Sequence, residues 1–399
     1  MLVSMWLLLA ALAAAPQPPT WAVEKRPLTP AQLERKREGI YFTGVPLTAY
    51  DPDRGWGYGV RVYMYADGHK TDPLFTVSPY FHRLYVQLFQ TTGGLMSHSV
   101  KWDAPYLFGT PYRMRSALAY ERDRDAGYYG VGESALRTTI SNLHSRFFRV
   151  DVTRPRWNAN FERDLFGGRI RPLVGFETSY VSVRAKPSSK LQQDFQQGRI
   201  DGFHGGWDNY GKAGIAYDSR NYEPNPTLGT FGDVTAEGTP KWAKASVAVR
   251  GYVSPSTAFT TITLAARLVA QNQWGPVPFW ELGSLTFTQG DDQGLGGLRT
   301  LRGYPESRFI GRMATLANAE LRWTFAEWVT GRQRFGFMVS PFVDTGRIYD
   351  RAANLSFRDW HTGVGAGFRV IWNLATILTA DYGYGDEGGA FYLNFGLTF

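Results

Sequence analysis

The chain has 399 residues with no cysteine, 15% aromatic and 20% charged residues, and a formal charge of +8. Without cysteine there is no disulfide framework, thiolate metal site or lipoprotein acylation, and a mean hydropathy of −0.29 excludes a bundle of membrane helices, which needs several apolar runs of about 20 residues. No run of five or more Lys and Arg stands behind the net charge, so nucleic acid is not an expected partner, and basic residues spread through loops and a wet lumen account for it.

The first element is an apolar run over residues 2–15, the length of a signal-peptide core and too short to span a membrane, with no Lys or Arg ahead of it. Ala13, Ala15 and Ala22 offer cleavage sites, so residues 1–22 are read as a secretory signal peptide. Residues 23–55, rich in Pro and charge, form an N-terminal periplasmic segment. It carries one short helix over 30–39, capped by Thr29 with Pro30 at the first helical position, placed in the lumen or at its periplasmic mouth.

From residue 56 the texture becomes short alternating runs punctuated by turns. Strands are expected near 56–66, 80–91, 93–103, 111–123, 145–164, 169–183, 210–219, 228–238, 242–254, 259–272, 278–290, 312–326, 333–347, 361–373, 374–384 and 389–399. Sixteen is an even number, as a closed single-chain outer-membrane barrel needs. In the last of them Phe391, Leu393, Phe395, Leu397 and Phe399 share one face, while Tyr392, Asn394, Gly396 and Thr398 share the other. Ile262, Leu264, Ala266 and Leu268 repeat the pattern, as do Val364, Ala366, Phe368, Val370 and Trp372 opposite three glycines and Arg369. Period two with one apolar face suits a strand between lipid and a polar lumen. Trp56, Trp274, Trp280, Trp328, Trp360, Tyr382 and Tyr384 near strand ends suit interfacial girdles. A soluble propeller would repeat at blade spacing, and no such repeat is visible. The fold class is therefore all-β, a 16-stranded antiparallel transmembrane β-barrel over 56–399 in the bacterial outer membrane.

Residues 294–311 (GLGGLRTLRGYPESRFIG) are too long for a hairpin turn and hold Arg302, Gly303 and Tyr304. An arginine folded into a lumen needs carboxylates, because a poorly hydrated unpaired charge is expensive. Alternation places Glu320 on the inward face of its strand, opposite Leu321, Trp323 and Phe325, and Asp344 on the inward face of the next. Arg302 thus has two acceptors on adjacent strands; the alternative on spacing alone is a solvated arginine at a loop turn. No GxSxG, HExxH, Walker-type or dinucleotide-binding arrangement occurs, and His69, His82, His98, His144, His204 and His361 lack ligand spacing. No catalytic, cofactor or metal site is expected.

Several stretches, in order, resemble the BamA/TamA superfamily of outer-membrane barrels, the bacterial surface antigen family. Leu301-Arg302-Gly303-Tyr304 is similar to the family's V/L-R-G-F/Y signature in the sixth extracellular loop. Residues 318–325 (NAELRWTF) resemble the strand that follows, and Phe342-Val343-Asp344-Thr345-Gly346 resembles the F-x-D-x-G strand whose Asp is the partner of the loop Arg. Tyr217-Asp218-Ser219-Arg220, running on to Pro226 and Gly229, resembles a Y-D-T-R…P-x-x-G segment. The resemblance implies a lock of Arg302 onto Glu320 and Asp344, and a terminal Phe399 that serves as the C-terminal aromatic read by the assembly machinery. It also implies a weak seam between the first and last strands, at 57–66 and 389–399. Family members that insert or secrete proteins carry POTRA domains of about 75 residues before the barrel, so this chain is expected to be a barrel-only member. The function implied is protein or lipid insertion or translocation at the outer membrane, not enzymatic. Its expected partners are outer-membrane lipid, a polypeptide substrate and, during biogenesis, the assembly machinery. A passive pore is the alternative and a barrel enzyme the third reading.

Overall fold

Alternating side chains give each strand one wall for lipid and one for the interior, and these walls close around a filled lumen. The computed structural model describes residues 19–22, 27, 28, 30, 33, 36–51, 55–138, 140, 142–255, 261–331, 333–372 and 376–399. Nearly all of the expected signal peptide, and Thr29 with residues 31, 32, 34 and 35 of the expected helix over 30–39, lie outside these residues; residues 36–39 are not helical, so the helix does not reach its expected end. The barrel consists of β1 (Ile40–Asp51), β2 (Gly55–Ala66), β3 (His82–Thr91), β4 (Met96–Ala104), β5 (Tyr112–Gly127), β6 (Arg149–Arg163), β7 (Ile170–Ala185) and β8 (Gly206–Asp218). It continues through β9 (Gly229–Gly238), β10 (Ala243–Val253), β11 (Thr261–Trp274), β12 (Met313–Thr330), β13 (Gln333–Tyr349), β14 (His361–Trp372), β15 (Thr376–Gly385) and β16 (Gly388–Phe395). Each pairs antiparallel with its neighbour in chain order, giving one 16-stranded sheet. No ladder joins β1 to β16 among the described residues.

The facing follows the alternation. On β11 Leu264 and Leu268 are exposed to lipid while Thr263, Arg267 and Gln271 are buried inside. On β12 Leu321, Trp323 and Phe325 face out, and Asn318, Glu320 and Arg322 are buried. Trp56, Trp274, Trp328, Tyr382 and Tyr384 are exposed on the outer wall. Trp328, Phe335 and Trp372 form a stacked row across three strands, with ring centroids 5.5 and 5.8 Å apart. Two of the expected girdle residues sit elsewhere: Trp280 is on a loop and donates Nε1–H to Asp208 Oδ2 (2.8 Å), and Trp360 is on the loop before β14.

Sixteen strands are present, but one expected strand is missing and one that was not expected takes its place in the count. The first strand, Ile40–Asp51, lies in the stretch read as periplasmic, so the sheet begins at residue 40 rather than 56. The strand contains Pro46; at the sheet edge its missing N–H costs no ladder bond on the open side. Residues 278–290 are not a barrel strand. Pro276 and Pro278 break the ladder, and the apolar run folds into the lumen as a short helix, Phe279–Leu282, and a two-residue strand, Ser284–Leu285, with Leu282, Leu285 and Phe287 buried. The seam consequently lies between β1 and β16, not between 57–66 and 389–399.

An even strand count puts both chain ends at one rim, here the terminal rim. There Trp21 packs its ring 5.3 Å from Tyr106, and Ala22 is buried with Leu74 and Tyr106. Lys36 donates to the carbonyls of Phe75 (2.8 Å) and Ser78 (2.6 Å) and lies 4.0 Å over the Phe75 ring. Burial pushes the Lys36 ammonium down to about 8, and burial lifts the Asp67 carboxyl to about 6.

The C-terminus departs from its expected face. Gly396 adopts φ +90°, a left-handed turn open to glycine, and Leu397, Thr398 and Phe399 swing inward. Phe399 is 7% exposed inside the lumen rather than on the lipid wall, beneath the guanidinium groups of Arg267 and Arg322, each 5.1 Å from its ring.

Candidate functional site: a loop locked across the lumen

The connection from β11 to β12, residues 275–312, is the sixth on the rim opposite the termini. It does not stay outside. Leu295, Leu301, Tyr304 and Phe309 are buried in one core with Leu136, Val269, Leu316 and Ile348, which supplies the apolar burial that draws the loop inward. Thr300 closes its turn, donating from Oγ1 to the carbonyls of Gly294 (2.7 Å) and Gly296 (2.9 Å) and accepting from Gly296 N (3.1 Å). Gly303 sits at φ +95° and donates its N–H to Tyr392 (3.1 Å).

Arg302, fully buried, is thereby aimed at the inner wall. Its Nε donates to Asp344 Oδ2 (2.7 Å) and Nη2 to Oδ1 (2.9 Å), a two-pronged match. Nη1 donates to Glu320 Oε1 (2.8 Å), Asp381 Oδ2 (2.8 Å) and Thr398 Oγ1 (3.3 Å). The Phe342 ring lies 3.4 Å beneath the guanidinium. Arg322 donates to Glu320 (2.9 Å) and to the main-chain oxygen of Phe399 (2.9 Å); Arg369 donates to Glu320 (3.1 Å) and Asp381 (3.5 Å). Three guanidinium groups, Arg302, Arg322 and Arg369, thus face three carboxylates, Glu320, Asp344 and Asp381. That balance is what makes so much buried charge tolerable.

Tyr304 is fully buried and donates its hydroxyl to the Thr362 carbonyl and to Asp386, each at 3.3 Å. The wall opposite the loop is glycine for a reason: a Cβ at Gly363 would overlap the Arg302 carbonyl, and one at Gly383 would lie 2.7 Å from Gly303 N. So the structure brings Arg302, Gly303, Tyr304, Glu320 and Asp344 together, and Phe399 joins them from the curled C-terminus.

Two further contacts were not foreseen. Asp381 is the third acceptor; the alternation of β15, with Tyr382 and Tyr384 outward, carried the signal. Arg308 is buried and forms a fork with Glu387 (2.7 and 2.6 Å) while donating to the Thr138 carbonyl (2.7 Å), tying the loop to two other connections on its rim. The earlier part of the loop is held by the opposite wall: Lys244 donates to Glu281 (2.6 Å), and Arg154 and Lys212 pair with Glu281 and Asp291. The loop therefore runs from one wall to the other. Among the described residues no cluster of three His, Cys, Asp or Glu could hold a metal.

Residues 90–399 match the family model described as the Omp85 superfamily domain, and residues 18–81 match a domain of unknown function, DUF5982. No curated protein matches the chain. Among solved structures the fold is similar to BamA from Haemophilus ducreyi lacking POTRA domains 1-3, at 14% identity and TM-score 0.51, over 90% of this chain and 69% of that one. It is also similar to CdiB from Acinetobacter baumannii (13% identity, TM-score 0.50, 90% of this chain and 60% of that one). CdiB from Escherichia coli matches at 12% identity and TM-score 0.50, over 90% of this chain and 62% of that one. The chain thus spans about three fifths of the CdiB chains, and at these identities the likeness is one of fold.

Proposed function

The chain belongs to the Omp85 superfamily of outer-membrane β-barrels, and from that membership we propose that it inserts or translocates polypeptide at the outer membrane. One observation carries the reading: the lumen is crossed by a loop locked to both walls, while β1 and β16 share no ladder among the described residues. A barrel built only to conduct needs an open lumen and a closed wall; this one is filled inside and, among the described residues, unpaired at one seam. Edge strands with free backbone groups are templates for an incoming strand, so cargo would meet the barrel at β1 or β16. Loop 275–312 would hold the wall in shape while the seam opens, and Gly388 and Gly389 would keep the last strand weakly packed.

The test is a photo-crosslinking residue at Phe42 on β1, with Ile215 on β8 as the mid-sheet control, both exposed on the outer wall, in cells exporting outer-membrane and secreted proteins. Crosslinks to newly exported polypeptide at Phe42, absent at Ile215, support the proposal. Lipid adducts alone at both positions would sink it.

A further inference from the structure

A second loop enters the lumen, from the terminal rim. The β8–β9 connection, residues 219–228, is pinned at its base: Ser219 N donates to Thr230 O (2.8 Å), Asn221 N to Leu228 O (2.9 Å), and Asn221 Oδ1 accepts from Thr227 N (3.0 Å). Its tip carries Tyr222, buried, and Glu223, followed by Pro224 and Pro226. Glu223 sits among arginines of the inner wall. Arg113 Nη1 donates to its Oε2 (3.0 Å) and Oε1 (3.3 Å), Arg115 Nη2 to Oε1 (3.5 Å), and Arg171 Nη1 lies 3.8 Å from Oε2. Gln289, from loop 275–312, donates to Oε1 at 3.4 Å, so the two plugging loops meet at this carboxylate.

The surroundings are cationic beyond what their carboxylates neutralise. Arg83, Arg113, Arg115, Arg171, Arg220 and Arg250 face Asp103, Glu162, Asp218 and Glu223, six charges against four. Arg250 is buried yet pairs with no carboxylate among the described residues; its Nη1 donates to Gln289 Oε1 (2.9 Å), and its guanidinium stacks 5.2 Å over Phe231. Arg220 stacks over the same ring at 4.4 Å. Glu223 keeps 34% of its side chain exposed to the lumen, whereas Arg113 and Arg171 keep 7% each. A buried guanidinium array whose anion keeps a third of its side chain exposed is a binding site with an occupant that can leave. The loop has space to leave into: a cavity of about 150 Å³ separates its Asn225 and Thr227 from Thr261, Thr263, Met338 and Ile371 of the facing wall.

We propose that this chamber is a carboxylate-binding site, occupied in cis by Glu223, and that loop 219–228 is a tethered plug which a competing carboxylate displaces. Two oxygens of one planar group meet donors from Arg113, Arg115, Arg171 and Gln289, a pattern that another carboxylate reproduces, whether borne on an acidic peptide or free in solution. Without Glu223 the chamber holds six guanidinium groups against three carboxylates and becomes anion-selective. The site is independent of whether the barrel moves polypeptide.

The test uses the full chain in planar bilayers, with Glu223→Gln checked for heat-resistant mobility on a gel. The variant is expected to conduct severalfold more than wild type, with chloride favoured over potassium, and to be blocked from the terminal-rim side by tetraglutamate or acetate. Block by the peptide at far lower carboxylate concentration assigns the site to peptide-borne groups; equal block assigns it to small carboxylates. Because the chain has no cysteine, Asn225→Cys with Glu223 intact gives a second reading: either carboxylate accelerates maleimide labelling there by displacing the plug. That labelling decides alone if Glu223→Gln does not fold. Wild-type conductance in Glu223→Gln, or labelling at Asn225→Cys unmoved by both carboxylates, overturns the proposal.

Discussion

At Arg302 the chemistry is one of neutralisation. Removing the guanidinium leaves Glu320, Asp344 and Asp381 around a space that water reaches poorly, so Arg302→Ala is expected to cost about 3–5 kcal/mol and to lower the temperature at which the folded barrel loses its compact mobility on a gel. Arg302→Lys keeps a charge but not the fork onto Asp344, and should fall between the alanine variant and wild type. Asp381→Asn should cost less than Arg302→Ala, because Arg302 retains Glu320 and Asp344. An order with Asp381→Asn worst would move the centre of the lock to β15. Arg308→Ala should leave the barrel folded and render loop 275–312 sensitive to protease from its own rim, since the fork to Glu387 is lost.

At the scale of elements, the loop needs glycine opposite it. Gly383→Ala places a methyl 2.7 Å from Gly303 N; it should destabilise the barrel by about 1–3 kcal/mol, whereas Gly251→Ala, with open space at its Cβ, should be near neutral in the same melting assay. The N-terminal segment carries its own pH dependence. The Asp67 carboxyl is raised from 3.8 to about 6, first by burial, so its contribution to docking is present below pH 3.8 and lost as pH rises through about 6. Labelling of Ala22→Cys, normalised to a free thiol, should quicken from pH 5 to 7, and Asp67→Asn should flatten that rise.

Strand facing was legible because lipid and lumen impose a period of two: Leu321 and Trp323 out, Glu320 and Arg322 in. What the pattern could not reveal was where apolar runs go when a second apolar environment exists. Residues 278–290, read as a membrane strand, carry apolar side chains that pack inside, against a lumen that is itself a core. Ile40–Asp51 was hidden by the Pro and charge content of the stretch around it; its own Pro46 is a residue an edge strand tolerates. Phe399 continues the lipid-facing parity of Phe391 and Leu393, and only the left-handed Gly396 turns it inward. The pairing of Arg302 with Glu320 and Asp344 was open on spacing and came from family resemblance; the part of Asp381 needed the three-dimensional register.

Over the whole molecule, an outer-membrane barrel of the Omp85 superfamily has its lumen filled from both ends. Loop 275–312 enters from one rim, loop 219–228 and the curled C-terminus from the other; the first meets the other two through Gln289–Glu223 and Arg302–Thr398, and Arg322 of β12 holds Phe399 to the wall. Stability of the wall is thus invested in the interior, and among the described residues the β1–β16 seam has no ladder of its own. Single-channel recording of wild type beside Arg302→Ala tests this arrangement most directly. Small, flickering currents in wild type and larger, longer openings in the variant are predicted; large, steady channels in wild type, unchanged by the substitution, would contradict a loop locked across the lumen.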